Sequence, residues 1–507
     1  MEFQLPEINL QLMLPEIFLF LWALVIMAFD VTTKRKSGST AGYLALIGLA
    51  VTGLLLAITD QGRGFGNMFF NDSLAVFFKV IFLGAAFMAV GSSFGLTHSK
   101  ILNHRGEYFG LILFSTVGMM FLASSSELVS LYIGLELTTI PLFVLAAFFK
   151  DDKKSVEAGI KYLVVGAFSS ALLLYGLSFV YGLTGTTDIA QIRSVLAHSA
   201  IAGFNPAYQH STPIMVMAIL AIVAGIGFKL ALPPFHQWVP DVYEGSPTPI
   251  TAFLSVGSKA AGLVAFVKIM IIGLYDLYDP SKTPNDWGII VGVMAAAAMI
   301  VGNVLAIRQT NIKRMLAYSS IAHAGYVMIG MLALNSLGLA SVGFYMFAYL
   351  FTNMGAFAIV ALIEDRTGTC EIADYAGLSK NSPFLAISMT IFLLSLTGIP
   401  PLAGFFGKFY VFAAAIKMAG AQAGLTWIYW LVGIGLLTSV FALYYYANVI
   451  RKMYFDKSDS PLEVALSPMA TAVILIGLVG VILFGLHPQP IVQFASDMPA
   501  AFGALLP

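Results

Sequence analysis

Residues 227–236 read Gly-Phe-Lys-Leu-Ala-Leu-Pro-Pro-Phe-His, and residues 397–408 read Thr-Gly-Ile-Pro-Pro-Leu-Ala-Gly-Phe-Phe-Gly-Lys. Each stretch lies inside a long apolar run and sets a Pro-Pro pair where an uninterrupted helix is otherwise expected. Proline lacks a backbone donor and its ring clashes with the preceding turn, so both helices are predicted to break there. Unwound backbone at that depth is tolerated only where it lines a cavity or is buried in protein. Each break has a lysine close by, Lys229 in one and Lys408 in the other, and the two proline pairs are 167 residues apart.

The surrounding chain fixes the class. Of 507 residues, 59% are hydrophobic and 10% charged, with a mean hydropathy of +0.88. An average soluble domain carries roughly 25% charged residues. The composition therefore predicts an all-α integral membrane protein. With 26 basic and 26 acidic side chains the formal net charge is zero, leaving no basic excess for nucleic acid. The single cysteine, Cys370, excludes a disulfide framework, a Cys₄ zinc site and a cysteine-ligated iron–sulfur cluster. No His pair shows metal spacing and no nucleophile elbow appears, so no cofactor is expected in this chain. Gly62-Arg63-Gly64-Phe65-Gly66 sits in a loop expected to lack a strand, so it is not read as a dinucleotide fingerprint.

A spanning helix needs about 20 mostly apolar residues to cross about 30 Å of hydrocarbon. That ruler gives about fourteen spans: 12–32, 41–59, 74–97, 108–126, 127–149, 155–184, 213–240, 248–275, 287–306, 312–334, 337–363, 383–419, 424–450 and 464–486. The start Met1-Glu2-Phe3 has no basic region, so a cleaved leader is not expected. Loops after odd-numbered spans carry 16 of the 26 basic residues: Lys34, Arg35, Lys36, Lys100, Arg105, Lys150, Lys153, Lys154, Arg308, Lys313, Arg314, Arg366, Lys380, Arg451, Lys452 and Lys457. Loops after even-numbered spans hold only Arg63, Arg193, Lys282 and, at a helix end, Lys417. By the positive-inside rule the odd loops face the cytoplasm and both termini face outward.

The broken runs are the seventh and twelfth spans. Five is an odd offset, so the two would cross the membrane in opposite directions, the mark of an inverted repeat. The predicted organisation is an N-terminal group of three helices in 1–107, a first five-helix repeat (spans 4–8) in 108–275, a second (spans 9–13) in 287–450, and a last helix in 464–507.

Six lysines, at 79, 161, 229, 259, 268 and 408, fall inside spans, where each costs at least about 2.5–3.5 kcal/mol on insertion scales. Lys229 and Lys259 lie near the middle of their spans, as does Glu136, the only acid read at that depth. Lys161 is shallower but still expected to sit away from bulk water. Lys79 and Lys268 are close enough to helix ends to snorkel. His236, at the first break, and His323, in an acid-free span beside Ser319 and Ser320, are weaker relay candidates, since imidazole titrates near neutrality. The polar stretch 236–249 is expected to form an ordered re-entrant turn at the inner mouth.

The runs 228–258 (FKLALPPFHQWVPDVYEGSPTPITAFLSVGS), 302–326 (GNVLAIRQTNIKRMLAYSSIAHAGY) and 395–410 (SLTGIPPLAGFFGKFY) resemble the antiporter-like subunit N of bacterial proton-pumping NADH:quinone oxidoreductase, respiratory complex I. The related subunit M typically has glutamate where Lys408 stands, and subunit L has a long C-terminal arm. The resemblance implies fourteen helices in two inverted repeats, with Glu136 and Lys229 as an ion pair on the intake side. Lys259 becomes the central relay, Lys408 faces the output, and Lys161 is a further member of the set. Making or breaking the Glu136–Lys229 pair would then change the lysine's proton affinity. It also implies NADH, FMN, iron–sulfur clusters and quinone in partner subunits, M- and K-type neighbours, and a bacterial inner membrane location. The alternatives are a subunit of a multisubunit cation/proton antiporter and a structural subunit of a related hydrogenase complex.

Overall fold

The structure, a computed structural model, describes residues 8–33, 39–94, 105–201, 212–277, 286–421, 423–457, 464 and 466–498. The membrane helices are α1 (Leu14–Thr32), α2 (Thr40–Ile58), α3 (Ser73–Ser93), α4 (Arg105–Ser124), α5 (Leu128–Ala146), α6 (Lys153–Thr184) and α7 (Thr212–Leu230). They continue with α8 (Thr248–Gly273), α9 (Asp286–Ala306), α10 (Ile312–Leu332) and α11 (Ser336–Thr367). Next come α12, in two pieces (Pro383–Thr397 and Ala403–Ala421), α13 (Trp427–Phe455) and α14 (Pro468–Leu486). Among the described residues, thirteen helices are long and apolar enough to cross a membrane. The fourteenth expected span is α12, which the prolines divide into shorter pieces.

Side-chain caps begin several of these helices. The Asp72 carboxylate accepts from the Ala75 amide at 2.7 Å, Asp152 from Lys154 at 2.9 Å, and Asn311 from Lys313 and Arg314 at 3.0 and 3.2 Å. Without such partners the first amides of a helix would be stranded in hydrocarbon. Both predicted breaks are present. After Leu230 the chain turns through Ala231 (φ 59°) and a cis Pro233–Pro234 bond into a short helix, Trp238–Gly245. The segment expected as a re-entrant turn is thus mostly helical. In α12, Gly398 (φ 92°) closes the first piece, and a cis Pro400–Pro401 bond precedes the second.

Burial sorts the helices into core and rim. The most apolar window of α8 is 100% buried, and those of α10 and α11 are 94% and 89% buried, against 33% for α1 and α13. The rim turns large apolar side chains outward, among them Phe168, Leu437 and Val440. That surface suits lipid or protein neighbours rather than water. α8 itself changes register, with π-helical turns at Leu254–Ser258 and Val267–Gly273 on either side of an α-helical stretch that begins at Lys259.

One expectation is corrected here. The Gly62–Gly64 segment is not strandless; it forms β1, paired antiparallel with β2 (Phe69–Asn71). It makes a small hairpin rather than a strand-to-helix phosphate cradle, since the chain passes from β1 into a turn through Phe65, Gly66 and Asn67, all at positive φ. Lys34, Arg35, Lys36, Lys100 and Lys282, used to read orientation, lie outside the described residues.

Candidate functional site

The buried lysines of α7, α8 and α12 each meet a neutral oxygen. Lys229, in the last turn of α7, donates through Nζ to the Thr139 hydroxyl of α5. Glu136, one turn earlier on α5, accepts from the Ser170 hydroxyl of α6. The expected Glu136–Lys229 ion pair is therefore not a direct contact. Thr139 sits at i+3 from Glu136 on the same helix face and meets the ammonium itself, leaving Glu136, which is half-buried, as its charged neighbour.

Lys259 donates to both the carbonyl and the hydroxyl of Ser320 on α10, the latter at 2.6 Å. One turn along, His323 Nδ1 is 2.6 Å from the Tyr345 hydroxyl of α11. One turn further, the Tyr326 ring lies under the Lys408 ammonium at 4.7 Å. Lys408 donates to the Thr397 carbonyl at 2.8 Å, a group left without its helical partner where α12 breaks. Ser320, His323 and Tyr326 thus share one face of α10 between Lys259 and Lys408. Two cavities of about 10 Å³ flank His323. One is lined by Lys259, Ser320 and Tyr349, the other by Thr352, Ser395 and Gly404, and each has room for about one water. Amine, hydroxyl, imidazole and water in sequence can hand on a proton without any covalent step.

The remaining candidates are placed differently. Lys161 is not sequestered: its side chain is 42% exposed and bonded at 2.6 Å to both Glu157 and Asp241. It lies only about two turns from the start of α6, and its long stem brings the charge to these carboxylates. Asp241 also accepts from Arg314 at 2.7 Å, and Glu244 accepts from Lys154 at 2.7 Å and Arg314 at 2.9 Å. Partial burial raises the proton affinity of both carboxyls, yet these hydrogen bonds outweigh it and hold them below their ordinary values. His236 has a buried Nδ1 without a hydrogen-bond partner among the described residues and is not bonded to any of the lysines.

Snorkelling is overturned for Lys79 and Lys268. Lys79 is fully buried, 2.6 Å from the equally buried Glu16 of α1, and donates to Asn71 Oδ1 at 2.8 Å. Lys268 donates to the Ser125 carbonyl at 2.5 Å and is also buried. Neighbouring helices cover both before their stems can reach a surface. Sequence reasoning missed Glu16, the hydroxyl partners Thr139 and Ser170, the bond of Ser320 to Lys259, and Lys313. The last was counted as a loop residue but is buried in the first turn of α10, bonded to the Ser246 carbonyl at 2.8 Å and to Glu364 at 3.2 Å. The i, i+3 spacing of Glu136 with Thr139 and of Ser320 with His323 was the available signal. Among the described residues no group of three His, Cys, Asp or Glu side chains is placed to hold a metal ion.

A family profile described as "NADH:quinone oxidoreductase/Mrp antiporter, TM" matches residues 125–442. The chain is 39% identical over 501 residues to NADH-quinone oxidoreductase subunit N of Desulforamulus reducens, covering 98% of this chain and 99% of that protein. It is 41% identical over 498 residues to the subunit of the same name in Trichlorobacter lovleyi, covering 97% of each. Among solved structures, a chain of respiratory complex I from Thermus thermophilus superposes with a TM-score of 0.75 at 28% identity, covering 94% of this chain and 98% of that one. A chain of the Mrp complex from Dietzia sp. DQ12-45-1b shares the fold with a TM-score of 0.78 at 17% identity, covering 98% of each. Matched over more than half its length by the profile, and over nearly all of it by relatives at about 40% identity, the chain belongs to the subunit N family of NADH-quinone oxidoreductases, antiporter-like membrane proteins.

Proposed function

We propose that this chain is the subunit N of a respiratory complex I and that it moves protons from the cytoplasm to the outside. Protons enter by a half-channel toward Lys229, pass along Lys259, His323 and Lys408, and leave by a second half-channel. The observation that carries this reading is the polar line through the protein core, in which each buried lysine meets a neutral oxygen and α10 bridges Lys259 to Lys408. Glu136, one turn from Thr139 on α5, supplies an acid near Lys229. The units 108–275 and 287–450 act as inverted halves, each contributing one broken helix, and both termini face outward.

Oxidation of NADH and reduction of quinone take place in partner subunits, which hold FMN and the iron–sulfur clusters; this chain contributes the membrane part of a translocase. M- and K-type subunits flank it in the bilayer. Quinone chemistry perturbs one charge at the end of the line, and successive groups then exchange protons through single waters. The test is the proton-to-electron ratio of the reconstituted complex carrying Lys229→Met or Lys408→Met. Each is expected to lower the ratio while quinone reduction remains measurable, and an unchanged ratio in both variants refutes the relay.

A further inference from the structure

The inner face carries charges that the relay does not use. Asp241 and Glu244 both sit on the short helix Trp238–Gly245, and between them they bind Lys154 and Lys161 of α6 and Arg314 of α10. Behind this network the way to Lys229 is filled by aromatic rings. Trp238 stacks on Tyr162 at 4.7 Å and leans on Phe228 at 5.0 Å, while Phe143 meets Tyr162 edge-on at 4.8 Å. The Lys229 ammonium lies 6.0 Å from the Phe228 ring centroid, so the rings run from the short helix that carries Asp241 and Glu244 to the first relay lysine. Trp238 is only 4% exposed, yet its indole N–H is buried without a hydrogen-bond partner among the described residues. Such an idle donor is costly in a fixed wall, but useful where water passes in another arrangement.

We propose that these two layers form the inner gate of the proton path: the rings exclude water from Lys229, and the Asp241/Glu244 ion pairs latch the ring-bearing helix shut. The inference rests on the relay reading above. An apolar constriction closes a path by dewetting, so a modest tilt of one helix suffices to admit a file of water. The helix Trp238–Gly245 is suited to tilting because the break after Leu230 uncouples it from α7. Its latch is built from partly exposed ion pairs, which exchange readily. The same α10 that supplies Arg314 also supplies Ser320 and His323, two to three turns on, so a shift of α10 during relay reaches the latch directly. Lys313 strengthens that link by bonding the Ser246 carbonyl at the far end of the short helix.

The test uses the whole complex in sealed proteoliposomes, without NADH, under an imposed proton gradient. Asp241→Asn/Glu244→Gln is expected to speed decay of the gradient several-fold, and adding Lys229→Met to return it to the wild-type rate. An unchanged decay, or a fast decay that survives Lys229→Met, overturns the gate. If the double variant does not assemble, the wild-type complex answers the same question. Raising salt from about 0.1 M to about 1 M cuts the screening length from about 10 Å to about 3 Å. That must speed decay in the wild type and not in Lys229→Met, and the absence of a salt effect overturns the gate. Loss of pumping in Lys229→Met and Lys408→Met without a leak in the latch variant removes the gate alone and leaves the relay intact.

Discussion

The pair Glu16–Lys79 gives the sharpest energetic prediction. Both side chains are 0% exposed, with 2.6 Å between the ammonium and one carboxylate oxygen. Among the described residues neither Glu16 oxygen has another hydrogen-bond partner, whereas Lys79 also holds Asn71 Oδ1 at 2.8 Å and sits 5.2 Å above the Phe69 ring. Removing one member of a buried pair typically costs about 3–5 kcal/mol, because the other charge is left uncompensated; replacing both by apolar residues of similar volume is often near neutral. Lys79→Leu should lie at the upper end, since Glu16 then has no ionic or hydrogen-bond partner among the described residues, and Glu16→Leu at the lower end, since Lys79 keeps its amide and its ring. Glu16→Leu/Lys79→Leu should cost less than either single change. The assay is a double-mutant cycle read as the temperature at which the purified complex releases this subunit, together with the amount assembled in membranes. If either single variant behaves like wild type, Lys79 is reaching a polar surface and the buried pair is refuted. A double variant no better than the worse single variant would refute it equally.

Two further outcomes are expected. His323→Phe keeps the ring volume but removes the proposed proton carrier between Lys259 and Lys408, a step worth about 10²-fold or more in rate; the proton-to-electron ratio should fall, and normal pumping would take His323 out of the relay. The carboxyls of Asp241 and Glu244 are held below their ordinary values, so their stabilisation is complete above those values and is lost as pH falls through the lower folded-state ones. The thermal-stability gap between wild type and Asp241→Asn/Glu244→Gln should therefore close below about pH 4, from a starting size of about 0–1 kcal/mol for each partly exposed pair. A gap that widens toward acid would contradict this sign.

The hydropathy ruler located each helix along the membrane normal, and the two Pro-Pro pairs marked where two of them must part. That was enough to find the core lysines, since Lys229, Lys259 and Lys408 are all buried. Height says nothing about rotation. Lys79 and Lys268 were read as near an edge, but α3 and α8 turn them toward neighbouring helices, where Glu16 and the Ser125 carbonyl wait. Lys161 fails in the opposite sense, because its face of α6 is open and two carboxylates lie within its reach. The family resemblance pairs Glu136 with Lys229, yet the hydroxyl of Thr139 stands one helical turn from Glu136 and takes the ammonium. Charge is legible from residue type, whereas the hydroxyls and carbonyls that compete for it are too common to single out before the helices are packed.

The neutral partners of the core lysines have an electrical consequence. Ser320 and the Thr397 carbonyl hold Lys259 and Lys408 with no bonded carboxylate, so when the amine has given up its proton that stretch of the line is uncharged. A membrane voltage exerts about 2.3 kcal/mol per elementary charge per 100 mV. In the proposed relay it therefore acts on this part of the line only while a proton is aboard, so the voltage pulls on the cargo and leaves the empty track alone.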